Sequence, residues 1–206
     1  KPMVALTFDD GPHYTVTPRI LDILQEHNAR ATFFVLGNRV DNFPNIIQRE
    51  YSQGHEIGSH SFSHPQITTL TSDEIEYQFA ETEHRIQQYV PYTTKLVRPP
   101  YGQITQSLKE VLQKTFVLWS IDTQDWKTRD KDAIVSEVLN NVKDGDIILM
   151  HDMYSTTADA CEELIPALIE RGYQLVTVSE LLNAKEITPV AGSVYSRVLS
   201  TGNAAS

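Results

Sequence analysis

Short apolar runs alternate along the chain with longer stretches in which apolar residues recur every three or four positions. The short runs are rich in β-branched and aromatic residues. They predict strands at 4–8, 31–36, 56–58, 96–98, 116–120, 147–150 and 174–176. Helices fill the spaces between them. Thr17-Pro18 reads as a cap and first helical position before Ile20, Leu21, Ile23 and Leu24. Thr71 with Glu74 is a capping-box signature ahead of Ile75, Phe79 and Ile86. Thr105 and Asp130 open two further helices, and Gly172 stops the one carrying Leu164, Ile165, Leu168 and Ile169. Strand–helix–strand alternation implies parallel strands joined by crossover helices, in a (β/α) barrel or a doubly wound sheet. In either architecture the active site belongs at the C-terminal ends of the strands. Residues 1–184 read as one domain. The stretch 185–206 is Ser/Thr/Gly/Ala-rich and weakly patterned, and it is expected to be a tail or a segment wrapping the domain.

Composition narrows the partners. Of 206 residues, 17 are Lys or Arg and 27 are Asp or Glu, for a net charge of −10. That balance argues against nucleic acid and against an anionic membrane surface, both of which need clustered cations. A single cysteine, Cys161, excludes an internal disulfide and a thiolate zinc site. No apolar run approaches the roughly 20 residues of a membrane span. The chain opens almost directly on a strand, with no signal peptide in view. The expectation is a catalytic domain of a longer exported or membrane-anchored protein, touching the membrane only through an anchor outside this chain.

Five polar clusters follow predicted strands. Thr7–Pro12 places Asp9 and Asp10 side by side, and neighbouring residues of an extended chain point to opposite sides. His60 and His64 stand four apart, the spacing at which two imidazoles share one helical face and meet a metal. Arg98-Pro99-Pro100-Tyr101-Gly102 is a stiffened loop that can fix a guanidinium and aim backbone N–H groups. Asp122–Trp126 sets carboxylates beside an indole, a combination that suits a sugar. Leu149–Asp152 ends a strand in His151, whose side chain titrates nearest neutrality. Each cluster taken singly is an ordinary turn or strand end. Together they converge on one end of one domain, and one Asp with two His is a ligand set suited to Zn²⁺, Co²⁺ or similar ions.

In order and wording the five clusters resemble the NodB-homology polysaccharide deacetylases, carbohydrate esterase family 4, whose motifs read TFDDGP, H(S/T)xxH, RxPYG-like, DxxDW and LxHD-like. They span the first three quarters of the chain, with no departure at the residues that matter. The resemblance implies a distorted (β/α) barrel of about seven parallel strands. It implies Asp10, His60 and His64 as metal ligands, Asp9 as general base and His151 as general acid. Arg98 would hold Asp9, Asp125 would orient His151, and the Tyr101 N–H would help stabilise an oxyanion. Trp126 and Leu149, with Pro99, would shape the substrate pocket.

The implied activity is metal-dependent hydrolytic N-deacetylation of N-acetylglucosamine residues in a polysaccharide. The motif wording is most like the peptidoglycan deacetylases of Gram-positive bacteria, with chitooligosaccharides as substrates in vitro. The implied metal is Zn or Co, the setting extracellular or facing the cell wall, and the protein a monomer. Two other readings use the same clusters: an O-acetyl xylan esterase, and a metal-containing glycan-binding wall protein without catalysis.

Overall fold

The computed structural model describes residues 1–200. Its strands are β1 (Met3–Asp9), β2 (Thr32–Val35), β3 (Glu56–Ser59), β4 (Leu96–Val97), β5 (Thr115–Val117), β6 (Ile121–Asp122), β7 (Ile147–His151), β8 (Gln174–Leu175) and β9 (Val194–Tyr195). Its helices are α1 (Val16–Glu26), α2 (Gly37–Val40), α3 (Pro44–Ser52), α4 (Ser72–Gln87), α5 (Gln106–Leu112), α6 (Asp125–Thr128), α7 (Lys131–Asn141), α8 (Ser155–Glu170) and α9 (Val178–Ala184). All pairings between these strands are parallel. The sheet order is β6-β7-β1-β2-β3-β4-β5-β9, with β8 beside the start of β1. Among the described residues no helix is long and apolar enough to cross a membrane.

The central strand explains the architecture. From Val4 to Phe8 every residue of β1 is fully buried, as a parallel strand covered on both faces requires. One face meets α1 and α8 through Ile20, Leu21, Leu24, Leu164 and Leu168, each fully buried and each worth about 1.5–3 kcal/mol. The other contributes Ala5 to a second cluster with Phe34, Val117 and, from α9, Leu181.

Of the run expected as one strand at 116–120, only 116–117 is strand, in β5, and a separate strand, β6, begins at Ile121. β5 pairs with β4 and β6 with β7, and only residues 118–120 separate them. One kinked stretch therefore runs from β5, next to the β9 edge, to β6 at the opposite edge and curls the sheet into a distorted barrel. Below the kink, the C-terminal segment fills the opening. Phe116 N–H donates to Ser193 O and Leu118 N–H to Tyr195 O, both at 2.8 Å. Farther along, Val198 N–H donates to Gly145 O at 2.8 Å, the Arg197 guanidinium pairs with Asp146, and Val198 is fully buried. Residues 193–198 of the predicted tail thus lie against the barrel wall, while 201–206 fall outside the described residues.

Of the four helix starts expected from their caps, three follow them. The Thr71–Glu74 capping box is complete, and Thr105 and Asp130 accept from Leu108 N–H and Ala133 N–H. Thr17, however, is not a cap. α1 begins at Val16, and Thr17 Oγ1 accepts from His13 N–H at 2.8 Å while donating to Asp152 Oδ2 at 2.7 Å. A buried carboxylate on the neighbouring strand end supplies a stronger partner than a helix start would.

Candidate active site

Strand register assembles the site. Asp9 closes β1 directly opposite His151, the last residue of β7, and opposite Phe34 of β2. Ser59 of β3 pairs with Val97 of β4, so the next residues, His60 and Arg98, emerge at one level. Four chemically active side chains thus leave adjacent strands at the C-terminal rim, where such barrels carry their chemistry.

Arg98 is the most enclosed of them, with no exposed surface. Nε donates to Val117 O (3.1 Å), Nη2 to Leu118 O (2.7 Å), and Nη1 to Thr7 Oγ1 (2.7 Å) and Asp9 Oδ1 (2.9 Å). Its guanidinium carbon lies 4.4 Å from the Phe34 ring centroid. Burial pulls the guanidinium's pKa down and the Asp9 charge opposes it. The arrangement fixes one oxygen of Asp9 and leaves Oδ2 pointed towards His60 Nε2, 3.6 Å away.

Asp10, at φ +75°, turns the opposite way. Its Oδ1 lies 3.4 Å from His60 Nε2 and 3.5 Å from His64 Nε2. One donor atom from each of the three residues falls within 4.8 Å of the others. Oδ1 is buried and accepts no hydrogen bond. A buried carboxylate oxygen facing two imidazole nitrogens, without a donor of its own, fits a divalent cation. His60 Nδ1 bonds the Arg98 carbonyl at 2.6 Å, which presents Nε2 to the group. Burial works to raise the Asp10 carboxyl, but His60, with His151 and His64 beyond it, holds it at about 2.

A helix would bring histidines at this spacing together on one face, but here they meet in another way. His60 to His64 is a loop in which Ser61 and His64 adopt φ +77° and +61°. Such φ values are costly outside glycine and persist only where the surroundings enforce them. Here Gly37 and Asn38 donate to the carbonyls of Ser61 and Phe62, both at 3.0 Å. Gln78 of α4 accepts from Phe62 N–H at 2.9 Å and Ser63 N–H at 3.0 Å.

Opposite this group, Asp125 is fully buried and accepts four hydrogen bonds: His151 Nδ1 (2.8 Å), His151 N–H (2.7 Å), Thr157 Oγ1 (2.8 Å) and Trp126 N–H (2.9 Å). Burial alone would lower the His151 imidazole. The hydrogen bond and charge of Asp125, with Asp9 and Asp10 nearby, instead raise it to about 9.

These residues line a cleft of about 400 Å³, together with Pro99, Tyr101, Trp126 and Leu149. Every residue singled out in the sequence lies at this cleft or directly behind it. Tyr101 takes φ +59° and sets its ring edge-on to His64, centroids 4.8 Å apart. Gly102, Trp119, Asp122 and Tyr154 complete the lining. Trp119 and Tyr154 lie outside the five clusters, although each falls within three residues of a strand end, the position shared by the whole site. Asp152 was also overlooked as a support. It is buried against Gly11, where a Cβ would come within 2.2 Å of Asp152 Oδ2, so only glycine fits the turn after Asp10. Burial pushes the Asp152 carboxyl up to about 7.

Fold and cleft define a class: a parallel-barrel protein with a carboxylate–imidazole cation site between an arginine-held aspartate and an aspartate-held histidine. Comparison with known proteins then gives the family. Residues 1–117 match the family described as Polysaccharide deacetylase, and the chain belongs to it. The chain is 46% identical over 184 residues to Peptidoglycan-N-acetylmuramic acid deacetylase PdaC of Bacillus subtilis, covering 89% of this chain and 39% of that protein. Against a solved structure of PdaC the TM-score is 0.89 at 45% identity, covering 90% of this chain and 92% of that chain. Peptidoglycan-N-acetylglucosamine deacetylase PgdA of Listeria monocytogenes is 41% identical over 182 residues, 88% of this chain and 39% of that protein. A family 4 acetyl xylan esterase from Clostridium thermocellum, solved with a cobalt ion, gives a TM-score of 0.90 at 37% identity, covering 95% and 98%. The chain thus spans about two fifths of the length of PdaC and PgdA.

Proposed function

We propose that this chain hydrolyses the acetamide of N-acetylglucosamine residues in a polysaccharide, peptidoglycan in its natural setting and chitooligosaccharides in vitro, releasing acetate. The observation that carries the reading is the facing pair at one cleft: Asp9 held by Arg98, and His151 held by Asp125, on either side of Asp10, His60 and His64. Those three would hold a divalent metal, Zn²⁺ or Co²⁺ by the chemistry of the donors, which when bound supplies Lewis-acid polarisation and an acidified water. Asp9 takes the proton from the attacking water, and Arg98 keeps that carboxylate in one rotamer. The tetrahedral oxyanion accepts a hydrogen bond from the Tyr101 N–H. As the C–N bond breaks, His151 gives its Nε2 proton to the leaving nitrogen, which otherwise departs poorly. Asp125 favours the charged imidazolium and aims it. Trp126 and Leu149, with Pro99, enclose the acetyl group.

Acetate release by metal-stripped protein, with and without Zn²⁺ or Co²⁺, tests the reading on chitooligosaccharides, peptidoglycan fragments and acetylated xylan. Metal-dependent release from the N-acetylglucosamine substrates is expected. Release from xylan alone would replace the reading with an O-acetyl esterase, which the likeness to the acetyl xylan esterase makes the second candidate. Glycan binding without acetate release on any of the three would mean a wall-binding protein. The relatives' names support a cell-wall-facing setting. We further propose that residues 1–184 form the catalytic domain, with the following segment serving it, and that the protein acts as a monomer on its polysaccharide.

A further inference from the structure

We propose that Arg129 is a specificity residue that recognises a carboxylate carried by the glycan, the lactyl carboxylate of muramic acid residues. The proposal rests on the deacetylase reading above and names which polymer the cleft prefers.

Arg129 follows α6 and lies beside the cleft, against two of its lining residues. Its Nε donates to the carbonyl of Trp126 at 2.8 Å, and its guanidinium carbon lies 3.5 Å from the centroid of the Tyr154 ring. Trp126 and Tyr154 both line the cleft, and the Tyr154 ring stands 6.1 Å from that of His151. The guanidinium is therefore no farther from the His151 ring than those two ring distances laid end to end. This is the neighbourhood of a substituent on the reacting sugar or on the one beside it.

The charge has no protein partner among the described residues. Arg19, Arg30, Arg49, Arg85, Arg98 and Arg197 pair with carboxylates, whereas Arg129, like Arg39 and Arg171, hydrogen-bonds only a backbone carbonyl. Its neighbours are committed elsewhere. Asp130 caps α7 through Ala133 N–H, and Lys131 pairs with Glu163. In a chain of net charge −10, this exposed guanidinium resting on an aromatic ring is open to an incoming anion. The backbone also bends to place it. Gln124 and Arg129 bracket α6 at φ +52° and +48°, a conformation that non-glycine residues adopt at a cost. With Nε spent on Trp126 and one face on Tyr154, Nη1 and Nη2 remain to meet a carboxylate as a fork. Neutral chitin or xylan offers no such group. Muramic acid, the residue named in the PdaC relative, does.

The test compares N-acetylglucosamine–N-acetylmuramic acid oligosaccharides bearing free lactyl carboxylates with the same oligosaccharides as methyl esters, and with muropeptides whose lactyl group is amidated by a peptide. The native protein should prefer the free acid over the ester. Arg129→Gln should lower that acid-to-ester ratio of kcat/KM roughly three- to tenfold, through KM. Arg129→Lys should keep most of it. The peptide-bearing arm separates sources of charge: a preference that follows the peptide carboxylates instead of the lactyl group would overturn the assignment. Equal loss on acid and ester in both variants would make Arg129 a structural clamp on Trp126 and Tyr154, and would also overturn it. Calorimetric titration of the same glycans reads the carboxylate preference independently of turnover. Absence of acetate release from every glycan would therefore count against the deacetylase reading, while an unchanged acid-to-ester binding ratio in Arg129→Gln would count against this proposal.

Discussion

At the scale of single residues, the site depends on which buried charge has a partner. Asp125 gives all its acceptor capacity to four donors, and one result is the high pKa of His151. A histidine whose folded pKa is raised contributes its stability below the unfolded value, and loses that contribution as pH rises through the folded value. In the metal-free protein, an NMR titration of His151 should show a midpoint near 9. In Asp125→Asn it should fall towards the ordinary imidazole value of about 6.5. Glu50 is the opposite case. It is fully buried on α3, and both carboxylate oxygens lack a hydrogen-bond partner. Burial, reinforced by the charge of Asp152, pushes its pKa well up. A carboxyl shifted upward costs stability as pH climbs from its unfolded pKa towards its folded one. Glu50→Gln should therefore stabilise the protein at pH 8 by about 1–3 kcal/mol, and by less at pH 5, in denaturant titrations at the two pH values. Nothing in the chain around Glu50 announced this burial. An acidic residue between Arg49 and Tyr51 on an amphipathic helix reads as solvated.

At the scale of elements, the strand ends were the legible part of the site and the loops were not. Period-2 and apolar-run patterning located β1, β2, β3 and β7, so the level of Asp9 and His151 followed from sequence. β4 and β8, though two residues long, sit in recognisable apolar runs, whereas β6, β9 and the one-turn helices α2 and α6 lack one. The His60–His64 loop is the clearest divergence. A helix would set residues four apart on one face, whereas hydrogen bonds from α2 and α4 impose two left-handed residues that bring the rings together. No local signal encodes partners that lie 15 or more residues away. Gln78 should accordingly matter to a cation it never touches. Gln78→Leu removes the acceptor of two loop N–H groups and should weaken metal retention roughly 10–100-fold, read by competition with a chelator, while α4 stays folded. The Thr71 box at the start of α4 gives the contrast. Thr71→Ala should lower stability by about 1 kcal/mol and leave metal affinity unchanged.

At the scale of the whole molecule, the barrel is closed by pieces distant in sequence: the kink between β5 and β6, and the segment 193–198. Ending the chain after residue 192 would strip Val198 from the interior, remove the Arg197 partner of buried Asp146 and uncover the edge of β5. A loss of about 3 kcal/mol or more is expected by thermal or denaturant unfolding. The weak patterning of that stretch concealed its place, because only alternate residues face the protein and Val198 is the one fully buried among them.

Arg98 ties these scales together. It rises from β4, grips the carbonyls of Val117 and Leu118 at the seam, and reaches across to Thr7 and Asp9 on β1. One guanidinium thus fastens the barrel and sets the carboxylate that faces the cation site. Loosening the seam releases Asp9 in the same event, so melting there takes the chemistry with it. On heating, turnover and tertiary structure should vanish along a single curve, without the early inactivation shown by enzymes whose catalytic loops fray before their scaffold does.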